Sequence, residues 1–353
     1  MKINFECIHC KKEIPASLTV NCCDSCNSPL FVSSKTPYKV NNVIDLGQGD
    51  TPLVRLNRIG LEFGVYDLWA KLEYLNPTGS FKDRGSATLI SAIHSRNINN
   101  LAEDSSGNAG ASIAAYSAKA GINAHIFVPS SAPPIKVSQI AFYDAEVHRI
   151  DGGREQVATS CQQFCEYNRM VYASHNLSPF FIEGTKQFAF EIAQDMYPLP
   201  DHILFPTGNG SLLLGAWRGF WEMGLHCPKL YAIQSELCNP IVSGISGSNL
   251  MNSSRKTQTI AGGIAVENPP RLKQCIQAIR NTKGEAISVS EIQISIMQRK
   301  LAALEGLLIE PTSAAALAGL PKLLYQGHIK PRDRILIPLT GFGFKDMLAN
   351  NPG

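Results

Sequence analysis

Asn76-Pro77-Thr78-Gly79-Ser80-Phe81-Lys82-Asp83-Arg84-Gly85 joins the end of a strand-like run to the start of a helix through a Gly/Ser turn. This places Lys82 in the helix's first turn. A helix N-terminus carries partial positive charge, so a second positive charge there is unfavourable. That position, together with partial burial, is expected to lower the lysine's pKa and favour the neutral amine that forms an imine. The alternative is a solvated lysine flanked by Asp83 and Arg84.

From about residue 43 onward, short β-branched runs alternate with helical runs, the pattern of an α/β sheet with crossover helices. Strands are expected at Ala124–Val128, His202–Phe205, Leu230–Gln234 and Arg334–Pro338, and helices at Ser86–Ser95, Ala111–Ala120, Leu212–Glu222 and Thr312–Leu324. Glycine marks several strand-to-helix junctions, where such sheets bind ligands.

One junction reads His202-Ile203-Leu204-Phe205-Pro206-Thr207-Gly208-Asn209-Gly210-Ser211 and runs straight into Leu212-Leu213-Leu214-Gly215. Its glycines let backbone N–H groups approach closely, and the helix start favours an anion. It has neither the Walker A lysine nor a full GxGxxG, so it suits a monophosphate better than a nucleotide. The alternative is a plain tight turn. Another junction, Ser105-Ser106-Gly107-Asn108-Ala109-Gly110, precedes an Ala-rich helix. Its hydroxyls and free N–H groups make a cradle for a carboxylate, and a simple N-cap with a loop glycine is the competing reading. A weaker signal is Leu339-Thr340-Gly341-Phe342-Gly343 after the last strand.

At 353 residues the chain has room for about two domains. Its 32 basic and 29 acidic side chains give no argument for nucleic acid or a membrane surface, so any anion site must be local. No apolar run reaches the roughly 18 residues of a membrane span. The start Met1-Lys2-Ile3-Asn4-Phe5 has no secretory core, and a cytoplasmic protein is expected.

Five of the ten cysteines fall between Cys7 and Cys26; Cys161, Cys165, Cys227, Cys238 and Cys275 are scattered and read as incidental thiols. Cys7-Ile8-His9-Cys10 and Cys23-Asp24-Ser25-Cys26 are two CxxC pairs twelve residues apart. Four thiolates at Cys7, Cys10, Cys23 and Cys26 suit a tetrahedral structural Zn2+, in a small zinc ribbon over residues 1–32. Free thiols are the alternative. Cys22 is a register rival to Cys23, although only Cys23 completes a CxxC. A connector follows through Ser33-Ser34-Lys35-Thr36-Pro37.

Together these motifs resemble the pyridoxal-phosphate (PLP) enzymes of fold type II, the tryptophan synthase β family, and within it the threonine synthase group most closely. The resemblance runs from Asp50-Thr51-Pro52-Leu53 through Asn76–Gly85, Glu183-Gly184-Thr185-Lys186 and Glu310-Pro311-Thr312-Ser313-Ala314 to Leu339–Asp346. It implies two three-layer α/β domains beside the ribbon: a large PLP-binding domain from 33–85 and 181–353, and a small one from 86–180. It also implies a homodimer. Lys82 would hold the cofactor as a Schiff base and shuttle the α-proton. Asn108 would bond the cofactor's phenolic oxygen, while Ser105, Ser106, Asn108 and Ala109 would line the substrate carboxylate site. Gly208, Asn209, Gly210 and Ser211 would hold the cofactor phosphate, and Thr340 would face the pyridine nitrogen. A neutral hydroxyl there favours elimination and replacement over transamination.

Two departures bear on the substrate. Where relatives place an arginine just before Glu-Gly, the chain has Phe181, and a threonine common in the asparagine loop is Ala109. Two polar partners for a substrate phosphate are therefore missing, and an unpaired phosphate in a partly dry pocket costs several kcal/mol. The run Thr259-Ile260-Ala261-Gly262-Gly263-Ile264-Ala265-Val266 is as similar to serine and threonine dehydratases as to threonine synthase. Three functions are therefore weighed: a threonine-synthase-like enzyme performing β/γ-elimination or replacement on a small amino acid, a serine/threonine dehydratase (ammonia-lyase), and a PLP-binding protein with little turnover whose ribbon recruits a partner.

Overall fold

The computed structural model describes residues 3–33, 43–247 and 259–347, so the expected connector lies outside them beyond Ser33. The chain forms two compact units, Met1–Gly49 with Asn76–Thr185 and Asp50–Leu75 with Lys186–Gly353.

In the first unit, four parallel strands lie in the order Glu146–Ile150, Asn123–Pro129, Asn100–Glu103, Val171–Tyr172. Helices Lys82–His94, Asn108–Ala120 and Arg154–Asn168 are its longest, the last two as crossovers between its strands. The expected boundary puts residues 82–85 in the larger domain and Ser86 onward in the smaller, whereas the whole helix lies in this unit. It groups here because Ser86–Ile93 is buried without a break, packed on Asn108–Ala120 and on Pro179–Thr185. Gly184 makes the second crossing possible: a Cβ there would collide with the Arg84 carbonyl. Gly184 of the 183–186 motif therefore serves helix packing.

The N-terminal segment forms a three-stranded antiparallel sheet, Glu13–Pro15, Asn4–Glu6, Phe31–Val32. It does not bury a core of its own. Phe5 meets Phe180 edge-on at 5.3 Å, and Phe5, Leu30 and Val32 belong to the same buried cluster as Ile90, Ile113 and Phe181.

The second unit holds six strands in the order Ala286–Val289, Lys229–Ser235, His202–Pro206, Arg334–Pro338, Asp67–Lys71, Leu53–Arg55. All neighbours are parallel except the last pair. The central strands read as unbroken apolar runs because helices cover both faces of such sheets. All four expected strands are present within a residue or two. Of the expected helices, Thr312–Leu324 is divided into Pro311–Ala318 and Leu320–Tyr325, because Pro321 cannot donate into a continuing helix. The Asp50-Thr51 motif frames a buried ion pair. Lys71 Nζ lies 2.7 Å from Glu191, donates to the Thr51 carbonyl at 2.6 Å, and Glu191 also accepts from the Asp50 N–H.

Candidate active site

Each unit contributes its own group of candidate residues. In the first unit, Lys82 is the first residue of its helix, and its Nζ lies 4.2 Å from the Phe81 ring centroid. Its flanking charges are not on the surface: Asp83 and Arg84 are both fully buried. The Asp83 carboxylate accepts from the Thr78 N–H at 2.6 Å, Thr78 Oγ1 at 2.5 Å and Ser112 Oγ at 2.6 Å. The turn before Lys82, its own helix and the helix Asn108–Ala120 are thereby tied at one carboxylate. Lys82 itself is half-buried, between two neighbours that are not surface charges.

Ser105, Ser106 and Gly107 follow the carboxyl end of the strand Asn100–Glu103, and Asn108 opens the next helix. Ser105 Oγ accepts from the Gly107 N–H at 3.3 Å, while Ala109 is buried. Helix-initial N–H groups have no intrahelical acceptor, so this turn presents donors to an anion.

In the second unit, Gly208-Asn209-Gly210 follows the strand His202–Pro206, and Ser211 begins a twelve-residue helix. Gly210 has φ 81°, a left-handed conformation that glycine adopts without strain, and a Cβ there would strike Cys275 Sγ. Gly208 is hemmed in by Gly263 and Ile264, so the Thr259–Val266 run serves as a buttress for the glycine loop. Thr340 follows the neighbouring parallel strand Arg334–Pro338, so both features lie at carboxyl ends of adjacent strands. It is buried, with its Oγ1 3.0 Å from Ser313 Oγ.

Some residues near these motifs carried no sequence signal. Glu103 ends its strand beside the asparagine loop, fully buried, and its carboxylate is bonded to His175 Nδ1. Burial pushes the Glu103 carboxyl up to about 8 and the His175 imidazole down to about 3. Asp104, which accepts from Tyr172 Oη at 2.6 Å, is raised by burial to about 6. Ser313, Thr340's partner, lies within Glu310-Pro311-Thr312-Ser313-Ala314. Glu310 presses against Gly341, where a Cβ would overlap its carboxylate.

Phe181 is fully buried, its ring lying over Gly85 so closely that a Cβ would not fit. It meets His175 edge-on at 6.1 Å. Lys186, a nearby cation in sequence, is bonded to Glu222 at 2.6 Å.

The thiols of Cys7, Cys10, Cys23 and Cys26 lie within 4.8 Å of one another, with Cys7–Cys26 at 3.5 Å and Cys10–Cys23 at 3.6 Å. Each CxxC closes the same turn: Lys11 N–H donates to Cys7 O and Asn27 N–H to Cys23 O, and Lys11 and Asn27 both take positive φ. Cys22 instead forms an isolated bridge with Pro29.

The residues fit a phosphorylated, polar cofactor. Ser80 Oγ, two residues before Lys82, and Asn209 Oδ1 in the glycine loop are buried without a hydrogen-bond partner. Such atoms are costly unless a ligand meets them, and an amide can turn either end toward one.

The profile of pyridoxal-phosphate dependent enzymes matches residues 44–341. Threonine synthase of Methanocaldococcus jannaschii is 33% identical over 314 residues, covering 87% of this chain and 77% of that protein. The Methanosarcina acetivorans threonine synthase is 34% identical over 311 residues, covering 86% and 76%. Among solved structures, a fungal L-serine ammonia-lyase from Rhizomucor miehei superposes with a TM-score of 0.74 at 20% identity, covering 83% of this chain and 94% of that one. Threonine deaminase isoform 2 from Solanum lycopersicum gives 0.73 at 20%, covering 83% and 79%. With a lysine at a helix start, a glycine loop at a strand end and a family match over most of its length, the chain belongs to the fold-type II pyridoxal-phosphate dependent enzymes, as a lyase.

Proposed function

We propose that this enzyme carries out β/γ-elimination or replacement on a small amino acid that bears no phosphate. What pyridoxal phosphate supplies when bound is a sink for the electrons left at a substrate's α carbon. Lys82 Nζ would hold the cofactor and would move the proton at the substrate's α carbon. The Ser105–Ala109 turn binds the substrate carboxylate through its hydroxyls and helix-initial N–H groups, and Asn108 donates to the cofactor's phenolic oxygen. Gly208, Asn209, Gly210 and Ser211 hold the phosphate on N–H groups. Thr340, paired with Ser313, offers the ring nitrogen only neutral hydroxyls. That disfavours the ring protonation on which transamination depends.

The observation carrying the substrate class is Phe181, a buried ring over Gly85 at the position where the resemblance to threonine synthase implies an arginine. Charge-assisted hydrogen bonds contribute about 1.5–3 kcal/mol each, so two missing partners weaken a phosphorylated substrate by roughly two to four decades. The test is a product assay with serine, threonine and O-phosphohomoserine. Ketoacid and ammonia from serine or threonine would identify the reaction as dehydration. Efficient phosphate release with threonine formation from O-phosphohomoserine would overturn the role given to Phe181. We also propose that Cys7, Cys10, Cys23 and Cys26 bind one structural Zn2+, which a closed four-thiolate site would keep from catalysis.

A further inference from the structure

His125 and Phe127 lie on the strand Asn123–Pro129, and Glu146 and His148 on its parallel neighbour Glu146–Ile150. The register sets His125 opposite Glu146 and Phe127 opposite His148. Residues two apart on a strand share a face, so all four side chains project from the same side of the sheet. There the Nδ1 of His125 is 3.1 Å from the Nε2 of His148. Each of these nitrogens is 3.3 Å from an oxygen of the Glu146 carboxylate.

These separations have a chemical meaning. A tetrahedral ion bound at about 2.0–2.1 Å by nitrogen and oxygen places its ligands about 3.3–3.4 Å apart. The two imidazole nitrogens, 3.1 Å apart, and the Glu146 carboxylate, which meets each nitrogen with a different oxygen, stand close to that spacing, and a small turn of the carboxylate would complete it. The imidazoles are held by packing: Phe127 stacks on His148 at 4.4 Å, and Phe164 of the helix Arg154–Asn168 lies 5.1 Å from His125 and 5.2 Å from His148. Access comes from the carboxylate side, where Glu146 is 65% exposed while the two histidine side chains are 13% and 22% exposed.

We propose that His125, Glu146 and His148 form a binding site for a zinc-class divalent ion, with water in the fourth position, that fastens the edge strand Glu146–Ile150 to its neighbour. Two imidazoles and one carboxylate select zinc, copper, nickel or cobalt over magnesium or calcium, which require oxygen ligands. The ion would cross-link two neighbouring strands at the sheet margin, adding to their pairing and ring packing, and it would stabilise the folded unit by mass action. None of its ligands belongs to the Lys82 group or the four-cysteine group.

Cobalt separates this site from the cysteines, because thiolate ligands give intense charge-transfer absorption and histidine with carboxylate does not. The full-length PLP-loaded protein, stripped of metal, is titrated with Co2+. We expect a cobalt ion showing ligand-field bands without thiolate charge transfer, retained in Cys7→Ser. Its affinity should fall roughly tenfold or more in His125→Gln and His148→Gln. Zinc should raise the melting temperature of Cys7→Ser but not of Cys7→Ser carrying His148→Gln. If a histidine variant misfolds, Glu146→Gln, on an exposed side chain, should lower the affinity in a folded protein. Equal cobalt affinity in Cys7→Ser and in Cys7→Ser with Glu146→Gln, or no cobalt beyond the thiolate-bound ion, would overturn the proposal.

Discussion

Thr78 Oγ1 donates to the Asp83 carboxylate at 2.5 Å, closing the turn that immediately precedes Lys82. Because the same carboxylate also accepts from the Thr78 N–H and Ser112 Oγ, it fixes where the helix begins and hence where the lysine stands. Asp83→Ala would strand the buried Thr78 N–H and hydroxyl, each costing about 1–3 kcal/mol if left unsatisfied, whereas Ser112 Oγ keeps Ser86 Oγ at 2.7 Å. The expected outcome is a loss of several kcal/mol in stability, with reduced cofactor occupancy in the protein that still folds. Denaturant melts and absorbance of the bound cofactor measure the two effects. Thr78→Val should show a milder version of both.

The glycine loop makes a sharper demand. Gly210→Val forces a branched side chain into φ 81° and against Cys275. Cofactor occupancy should be lost in Gly210→Val, because moving the loop turns helix-initial N–H groups away from the phosphate. Borohydride reduction of the wild type followed by peptide mapping should mark Lys82. A label on another lysine would refute the assignment of Lys82.

For the N-terminal segment, Cys7→Ser or Cys26→Ser should remove about one zinc per chain. Phe5 packs on Phe180, so the disturbance should reach the first unit's core and lower the melting temperature of that unit as well. Metal analysis with thermal melts tests both parts. An unchanged zinc content would refute the four-cysteine assignment.

Much of this structure was legible in the sequence because its signals are local. The strands His202–Pro206 and Arg334–Pro338 are short apolar runs ending at prolines, and each candidate loop is a contiguous string of residues. What escaped was carried by contacts between distant residues. Glu103 and His175 are 72 positions apart, and neither residue type at a strand end announces a partner. His125, Glu146 and His148 come together only through the register of two parallel strands. Phe181 stands out in the sequence only through the resemblance, and only packing shows its ring lying over Gly85. The Glu-Gly of residues 183–184 looked chemical, and its glycine turns out to admit a helix crossing.

The Glu103–His175 pair carries the last prediction, a stability maximum with a defined alkaline limit. In the unfolded chain the two groups release their protons near their ordinary values, 4.5 and 6.5. In the folded protein burial resists any net charge on the pair, so the same two protons leave near 3 and near 8. Between those limits the pair holds one proton and is neutral overall, whichever partner carries it. The signs follow directly. Above 6.5 the unfolded pair binds fewer protons than the folded one, so stability falls as pH rises toward 8. Below 4.5 it binds more, so stability falls as pH drops toward 3. The alkaline limb spans about 1.5 pH units, or about 2 kcal/mol. Asp104, raised from 3.8 to about 6, exerts its effect below this window. Glu103→Gln keeps a neutral hydrogen-bonding group but cannot ionise, so the loss between pH 6.5 and 8 should vanish. The buried His175 would then begin to destabilise the protein as soon as pH falls below 6.5. Urea denaturation at pH 5, 6.5 and 8 on both proteins is the measurement. Equal stability of the wild type at pH 6.5 and 8 would show that the pair is not held neutral by burial.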